Sequence, residues 1–356
     1  MVARATDPAE TGAAAGGPGL DFPFADVPRS GEATEVADGV LWLRSPLPMT
    51  LDHINLWALR DGEGWAIVDT GLNYPTAREV WEAAFTGPMK GRPVTRVIGT
   101  HMHPDHIGLA GWLCARFDVP LLMSRLEYVT MRMLVADTGP APEAGARFYR
   151  ACGWTDGQID KWRSRFGQFG QAVSEPPASY VRLRAGETLE IDGRGWHLVG
   201  GDGHSPEHIC LLREDDGVFI SGDQVLPKIS SNVSVWPTEP DADPLADWMA
   251  SLAHLKAEVP DSVVVLPSHG VPFRGLHARL DTLARGHEVS LTRLLRSLRE
   301  PRRAIDVFGS LFARPISDSL LGMATGESVA HLNYLVGQGR AVRGTDAEGV
   351  WRWRAV

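Results

Sequence analysis

Cysteine is nearly missing from this chain of 356 residues: only Cys114, Cys152 and Cys210 occur, odd in number and far apart. That pattern argues against a disulfide framework and makes a reducing cytoplasm the expected compartment. Lysine is scarce too, with Lys90, Lys161, Lys228 and Lys256 the four lysines among 35 basic residues. The arginine bias reads as the mark of a GC-rich genome and carries no functional information. Long apolar runs are absent; those present are cut by Gly, Pro or charge, so no membrane span is expected. No apolar h-region follows Arg4, Asp7 and Glu10, so no secretory signal is expected either. A net charge of -9 disfavours a general binder of nucleic acid or anionic membrane. What is present is a normal core composition, 44% hydrophobic, in a chain long enough for one large domain or two ordinary ones.

Residues 1–30 are rich in Ala, Gly, Pro and Asp and read as a flexible arm. From residue 39, GVLWLRSPLP, HINLWALRDGEGWAIVDTG and VTRVIGTH read as strands separated by turns, with YPTAREVWEAAF and GLAGWLCARF as helices between them. That alternation predicts an α/β core. A helical insertion over 124–176 interrupts it, and strands return at YVRLRAGETLEIDGRGWHLVGG, ICLLREDDGVFISGD and SVVVLPSHG. After residue 276, leucines at three- and four-residue steps predict a long helix closed by Pro301, followed by shorter helices and a terminal hairpin.

The most informative stretch is THMHPDHIGLAGWL, residues 100–113. Imidazole nitrogen and carboxylate oxygen are the donors zinc takes where cysteine is lacking. His101, His103, Asp105 and His106 fall on the loop after a strand, with a helix expected from near Ile107. Downstream, His204 follows WHLVGG, Asp223 follows GVFISG and His269 follows VVVLPS. Metal-capable side chains therefore recur at four comparable strand-to-loop junctions. Singly, each has a plainer reading: His204 and His269 as turn or core histidines, Asp223 as a helix cap, Asp69 in DTG as a turn residue. The joint pattern is what points to metal. His53, His197, His254, His277, His287 and His331 lack such support and read as structural, while His208 stays ambiguous beside His204.

Through HMHPDH, GHSPEH, SGDQ and SHG, with IVDTG as a further match, the chain resembles the metallo-β-lactamase-fold hydrolase superfamily over roughly residues 38–275. The resemblance implies an αββα sandwich as a catalytic domain over 31–275. It implies His101, His103 and His204 as ligands of one metal, Asp105, His106 and His269 of a second, and Asp223 bridging both. Asp69 would orient a metal-bound histidine from behind. The implied cofactor is two Zn2+ per chain, although other divalent ions suit the same donors. Two such ions share a water and lower its pKa towards ~7, giving a bridging hydroxide for attack on a carbonyl or phosphoryl centre. Asp105 is the expected catalytic residue, orienting the nucleophile or shuttling its proton.

The expected substrate is a small molecule with an ester-like bond (thioester, lactone or ester) and an apolar group. Phosphodiester cleavage of RNA is the alternative, followed by an inactive sensor and a single-iron persulfide dioxygenase. The flavodiiron branch carries Glu where this chain has His103, which argues against diiron oxygen reduction. The insertion holds Tyr128, Met131, Met133, Phe148, Tyr149, Trp154, Trp162, Phe166 and Phe169. They serve either as packing or as a lid, and in the second case Trp162 and Phe166 are candidate substrate contacts. In QVLPKISSNVSVWP, after Asp223, Lys228 and Asn232 are candidates for holding a carboxylate or carbonyl. Residues 276–356 resemble the winged-helix-like tail of some superfamily members. Yet GESVAHLNYLVGQGR, where a recognition helix would lie, has one basic residue, so packing or homodimer formation is expected there and nucleic-acid binding is not.

Overall fold

The computed structural model of the protein describes residues 19–49 and 51–356. Two sheets stack face to face. The first runs in chain order through β1 (Ala33–Ala37), β2 (Val40–Pro46), β3 (His53–Asp61), β4 (Gly64–Val68), β5 (Val94–Ile98), β6 (Leu121–Met123) and β7 (Val181–Arg182). It is antiparallel up to β4 and parallel beyond it. The second comprises β8 (Thr188–Ile191), β9 (Arg194–Gly201), β10 (His208–Arg213), β11 (Val218–Gly222) and β12 (Val264–Pro267), ordered β12-β11-β10-β9-β8.

Side-chain alternation along the strands builds the layers. Val40 and Trp42 of β2 join Trp57, Val68, Trp196, Leu198, Ile209 and Ile220 between the sheets. Their neighbours Leu41 and Leu43 face the other way, against α1 (Pro75–Thr86), the short α2 (Pro104–Ile107) and α3 (Ala110–Phe117) through Trp81, Ile107 and Leu113. The outer face of the second sheet is covered by α7 (Pro244–Glu258) and α8 (Leu276–Ser297). The expected αββα sandwich is present. The helix after HMHPDH differs in detail: Pro104 starts a single turn inside the motif, and α3 begins only at Ala110.

The insertion forms α4 (Arg125–Ala136), α5 (Glu143–Ala151) and α6 (Asp156–Arg163), then a 3-10 turn at Gln168–Gln171. Tyr128 and Met131 of α4 are buried in the outer core of the first sheet. Phe148, Tyr149 and Trp154 are buried on the far side of the second. There Phe148 meets Trp351 edge to face at 5.8 Å, and Trp154 Nε1 donates to Thr325 Oγ1 at 2.9 Å. Trp162 packs on Tyr149 and Phe166, with ring centroids at 5.2 and 5.7 Å. Phe148 and Trp154 of the insertion thus pack against distant parts of the chain, whereas the ring contacts of Trp162 and Phe166 lie within the insertion itself.

After α8 come α9 (Phe308–Leu311), α10 (Leu321–Gly337) and an antiparallel hairpin of β13 (Ala341–Thr345) and β14 (Trp351–Ala355). α10 contains no Lys or Arg, and its residues from Ala324 to Leu335 are mostly buried. Of the expected N-terminal arm, residues 1–18 lie outside the described residues. Residues 19–30 run along the body: Asp21 pairs with Arg274, and Phe24 meets Trp42 at 6.5 Å.

Candidate metal centre

β9, β11 and β12 run in one direction, so the residues that follow them emerge at one end of the second sheet. His204, Asp223 and His269 follow these strands, and β5 delivers residues 101–106 from the first sheet to the same place. His101, His103 and His204 form one triad of donor atoms, and Asp105, His106 and His269 form another. Asp223 lies between them: its carboxylate is 3.5 Å from His204 Nε2, 3.5 Å from His106 Nε2 and 3.4 Å from His269 Nε2. Asp105 Oδ2 is 3.4 Å from His269 Nε2 and 3.8 Å from His106 Nε2. All seven side chains that the sequence nominated converge.

The histidines are held by their outer nitrogens. His106 Nδ1 donates to Asp69 Oδ2, His204 Nδ1 to the Asn232 carbonyl and His269 Nδ1 to the His53 carbonyl, each at 2.7 Å. A proton fixed on Nδ1 leaves the Nε2 lone pair facing inward. His106 Nε2, His204 Nε2, His269 Nε2 and Asp223 Oδ1 are buried and have no hydrogen-bond partner. Burying such groups unsatisfied costs about 1–3 kcal/mol each, so four of them aimed at one point fit a cation. The spacing fits as well, since tetrahedral bonds of ~2.1 Å set ligand atoms ~3.4 Å apart.

Electrostatics agree with a divalent ion. Burial and the neighbouring imidazoles hold His101 well below the ordinary histidine range, and burial with His204 pushes His103 down to about 3, so both stay neutral and able to ligate. Burial opposes a second proton on His106, but Asp223, Asp69 and Asp105 outweigh it and raise its pKa well above normal, so Nε2 carries a proton that a bound cation would displace. Burial also opposes ionisation of Asp223, yet His269 and His106 hold its carboxyl well below the usual range. Carboxylates that remain charged this deep call for positive charge beside them.

Asp69 stands behind His106, the position that the resemblance implied for it. It is buried at the end of β4 in a left-handed conformation (φ 58°), which Asp tolerates. Its Oδ1 accepts from Thr100 N and its Oδ2 from Thr100 Oγ1, both at 2.9 Å, besides His106. One member of the surround, Glu127, was not legible in the sequence. Glu127 of α4 is fully buried and accepts from Met102 N at 2.9 Å and Glu207 N at 2.8 Å, tying the HMHPDH loop to the GHSPEH loop. His208 Nε2 accepts from Asp223 N at 3.2 Å, and its ring stacks on His101. Gly222 is what lets it approach: a Cβ there would sit 2.3 Å from His208 Nε2. Asn232 is near the centre, but through its backbone. Its side chain is engaged by Glu327 and Ser234 rather than offered to a ligand. Lys228 is exposed on the same segment.

Comparison with known proteins agrees with this geometry. Residues 49–269 match the family model for the metallo-beta-lactamase superfamily, and residues 291–356 match that for a metallo-beta-lactamase-like C-terminal domain. A crystal structure of a beta-lactamase domain protein from Burkholderia ambifaria superposes with a TM-score of 0.85 at 41% identity, covering 95% of this chain and 97% of that one. A probable metallo-hydrolase of Bacillus subtilis, YqjP, is 26% identical over 84% of this chain and 92% of its own length. An atrochrysone carboxyl ACP thioesterase of Aspergillus fumigatus is 25% identical over 65% of this chain and 41% of its own. With the motifs in order, the sandwich formed and both family models matched, the chain belongs to the metallo-β-lactamase superfamily as one of its divalent-metal-dependent hydrolases.

Proposed function

We propose that the protein is a binuclear zinc hydrolase acting on a small ester-like substrate, with a thioester, lactone or ester bond. The convergence of three bare Nε2 atoms, of His106, His204 and His269, on Asp223, with His101, His103 and Asp105 completing the two triads, carries this reading. His101, His103 and His204 would hold one ion, Asp105, His106 and His269 the other, with Asp223 between. Ions held there supply Lewis acidity and lower the pKa of water towards ~7. Asp105, the more exposed of the two carboxylates (19% against 11% for Asp223), is assigned to take the attacking water's proton. Attack at the carbonyl carbon breaks the bond to oxygen or sulfur, and the departing alcohol or thiol takes up the proton.

The thioesterase among the relatives supports acyl chemistry. Trp162 and Phe166, which pack on each other in the insertion, are the candidate contacts for the apolar group of the substrate. The winged-helix-like reading of α8 to β14 does not bring RNA with it: the third helix is basic-poor and mostly buried, whereas a phosphate reader needs several exposed cations. The three free, buried cysteines suit the reducing cytoplasm proposed for the protein; no described helix is long and apolar enough to cross a membrane.

The test is metal analysis of protein purified without chelator, followed by a panel of aryl esters, acyl thioesters, lactones and bis-aryl phosphates. About two zinc-type ions per chain and faster turnover of carbonyl substrates are expected. Preference for the phosphodiester, or stoichiometric iron as the sole active metal, overturns the reading.

A further inference from the structure

The segment between β11 and α7, residues 223–243, has no regular structure of its own, yet it carries Asp223 at one end and Asn232 in the middle. Its backbone is held from outside the sandwich. Arg279 of α8 donates to the Leu226 and Ile229 carbonyls at 2.5 and 2.7 Å. Val235 N donates to the Gly326 carbonyl of α10 at 3.1 Å. Asn333 of α10 donates to the Ala242 carbonyl at 2.9 Å. α10 meets the segment at Gly326, where a Cβ would lie 2.8 Å from the Val235 carbonyl oxygen. One of these links bears on the metal centre directly. Glu327 Oε2 accepts from Asn232 Nδ2 at 2.8 Å, and the carbonyl of that same Asn232 accepts from His204 Nδ1 at 2.7 Å.

We infer that Glu327, in the C-terminal domain, is a positioning residue for the metal centre, fixing His204 through Asn232. The C-terminal helices thereby complete the site of the catalytic domain rather than merely accompanying it. The physical reason is local. A lone carbonyl in an irregular segment orients an imidazole only as well as its own residue is held. Of the two ends of the Asn232 amide, Glu327 takes the donor end and Ser234 Oγ, at 2.5 Å, the acceptor end. With both ends engaged, the plane of the residue, and hence the direction of its carbonyl, is fixed. Outer partners of ligating histidines govern metal affinity by 10- to 100-fold, and Glu327 stands one residue further out on the same line.

This inference rests on the proposed metal site, and the experiment separates the two. Zinc affinity is measured by chelator competition on the full chain, and the visible spectrum is recorded after cobalt(II) loading, for the wild type and for Glu327→Ala, Glu327→Gln, Asn232→Ala and the double alanine variant. Wild-type protein that takes up neither ion sinks the proposed metal site itself. With wild-type binding intact, Glu327→Ala is expected to weaken zinc binding roughly 10-fold and alter the cobalt spectrum. Glu327→Gln keeps an acceptor for Asn232 Nδ2 and should stay within about 3-fold of wild type. Asn232→Ala cuts the same link from the other side, so its loss should match that of Glu327→Ala and not add to it. If Glu327→Ala does not fold, Asn232→Ala compared with wild type carries the same decision. Normal zinc affinity and an unchanged cobalt spectrum in either folded alanine variant overturn the inference, as does additive loss in the double.

Discussion

Asp69→Asn tests the link between buried hydrogen bonding and metal affinity with little change of shape. The wild-type carboxylate accepts from Thr100 N at one oxygen, and from Thr100 Oγ1 and His106 Nδ1 at the other. Asparagine is isosteric and tolerates the positive φ of 58°, so the turn should survive. It has only one acceptor oxygen. The backbone N–H of Thr100 has no freedom to become an acceptor, so that oxygen stays with Thr100 and the amide NH2 faces His106. His106 must then accept at Nδ1, which moves its proton to Nε2, the atom aimed at Asp223. The variant thus turns a ligand into a non-ligand without emptying the space. Loss of an outer partner of a metal-bound histidine lowers affinity 10- to 100-fold, or about 1.4–2.7 kcal/mol. Chelator competition gives the affinity, and two-bond 1H–15N spectra of the histidine rings give the tautomer. Should His106 keep its proton on Nδ1, or zinc affinity stay within about 3-fold of wild type, Asp69 does not set the tautomer of His106.

Glu127→Ala leaves the Met102 and Glu207 amides without their buried acceptor. Each orphan costs about 1–3 kcal/mol, and a chemical melt of the metal-free protein should show the loss before any activity is measured. Burial, helped by the charge of His331, pushes His287 down to about 4, and burial pushes His331 down to about 4. Both sit below the unfolded value near 6.5, so the unfolded chain binds more protons between these limits. Stability is therefore complete above about pH 6.5 and falls as pH drops towards 4, by up to ~1.4 kcal/mol per pH unit for each ring. His287→Gln should flatten that decline in urea midpoints measured from pH 7 to 4.5, and an unchanged slope would refute it. Deleting residues 276–356 should leave an insoluble or non-cooperatively melting remainder; a soluble fragment with normal zinc affinity would show the C-terminal helices to be dispensable.

The metal donors were legible because each arrives in a short local cluster just past a strand, where a sequence pattern can hold all the information. Their supports were not. Glu127 lies in a stretch, RLEYVTMRM, that reads as an ordinary amphipathic helix, and nothing there signals amide partners at Met102 and Glu207. Glu327, in GESVAHL, is silent for the same reason, with its partner about a hundred positions away. Asn232 lies in the expected segment, but its side chain is engaged by Glu327 and Ser234, and its backbone carbonyl is what holds His204. The insertion shows a different limit. A lid and a core filler both need large apolar side chains, so counting them cannot separate the two. For Phe148 and Trp154 the contacts with Trp351 and Thr325 show packing, and these join residues far apart in the chain.

The same contacts explain why the two matched family regions behave as one body. Val199, Cys210 and Phe219 of the second sheet share a hydrophobic core with Phe148 and Trp154 of the insertion, Leu280 and Leu294 of α8, Val329 and Leu332 of α10, and Trp353. Burying one such side chain contributes roughly 1.5–3 kcal/mol, and a native domain has a margin of only about 5–15 kcal/mol. Losing a handful of these contacts is on the order of that margin, so removal of the outer layer is expected to destabilise the rest. The metal centre inherits this arrangement. Its first triad draws His101 and His103 from the first sheet and His204 from the second, so their separation is set by the core between the sheets, where Trp42, Trp57 and Trp196 are buried. The segment closing the site over Asp223 is set instead by α8 and α10. Two independent packings thus fix one cluster of donors, and a displacement of about 1 Å in either would carry the ligand atoms out of bonding range.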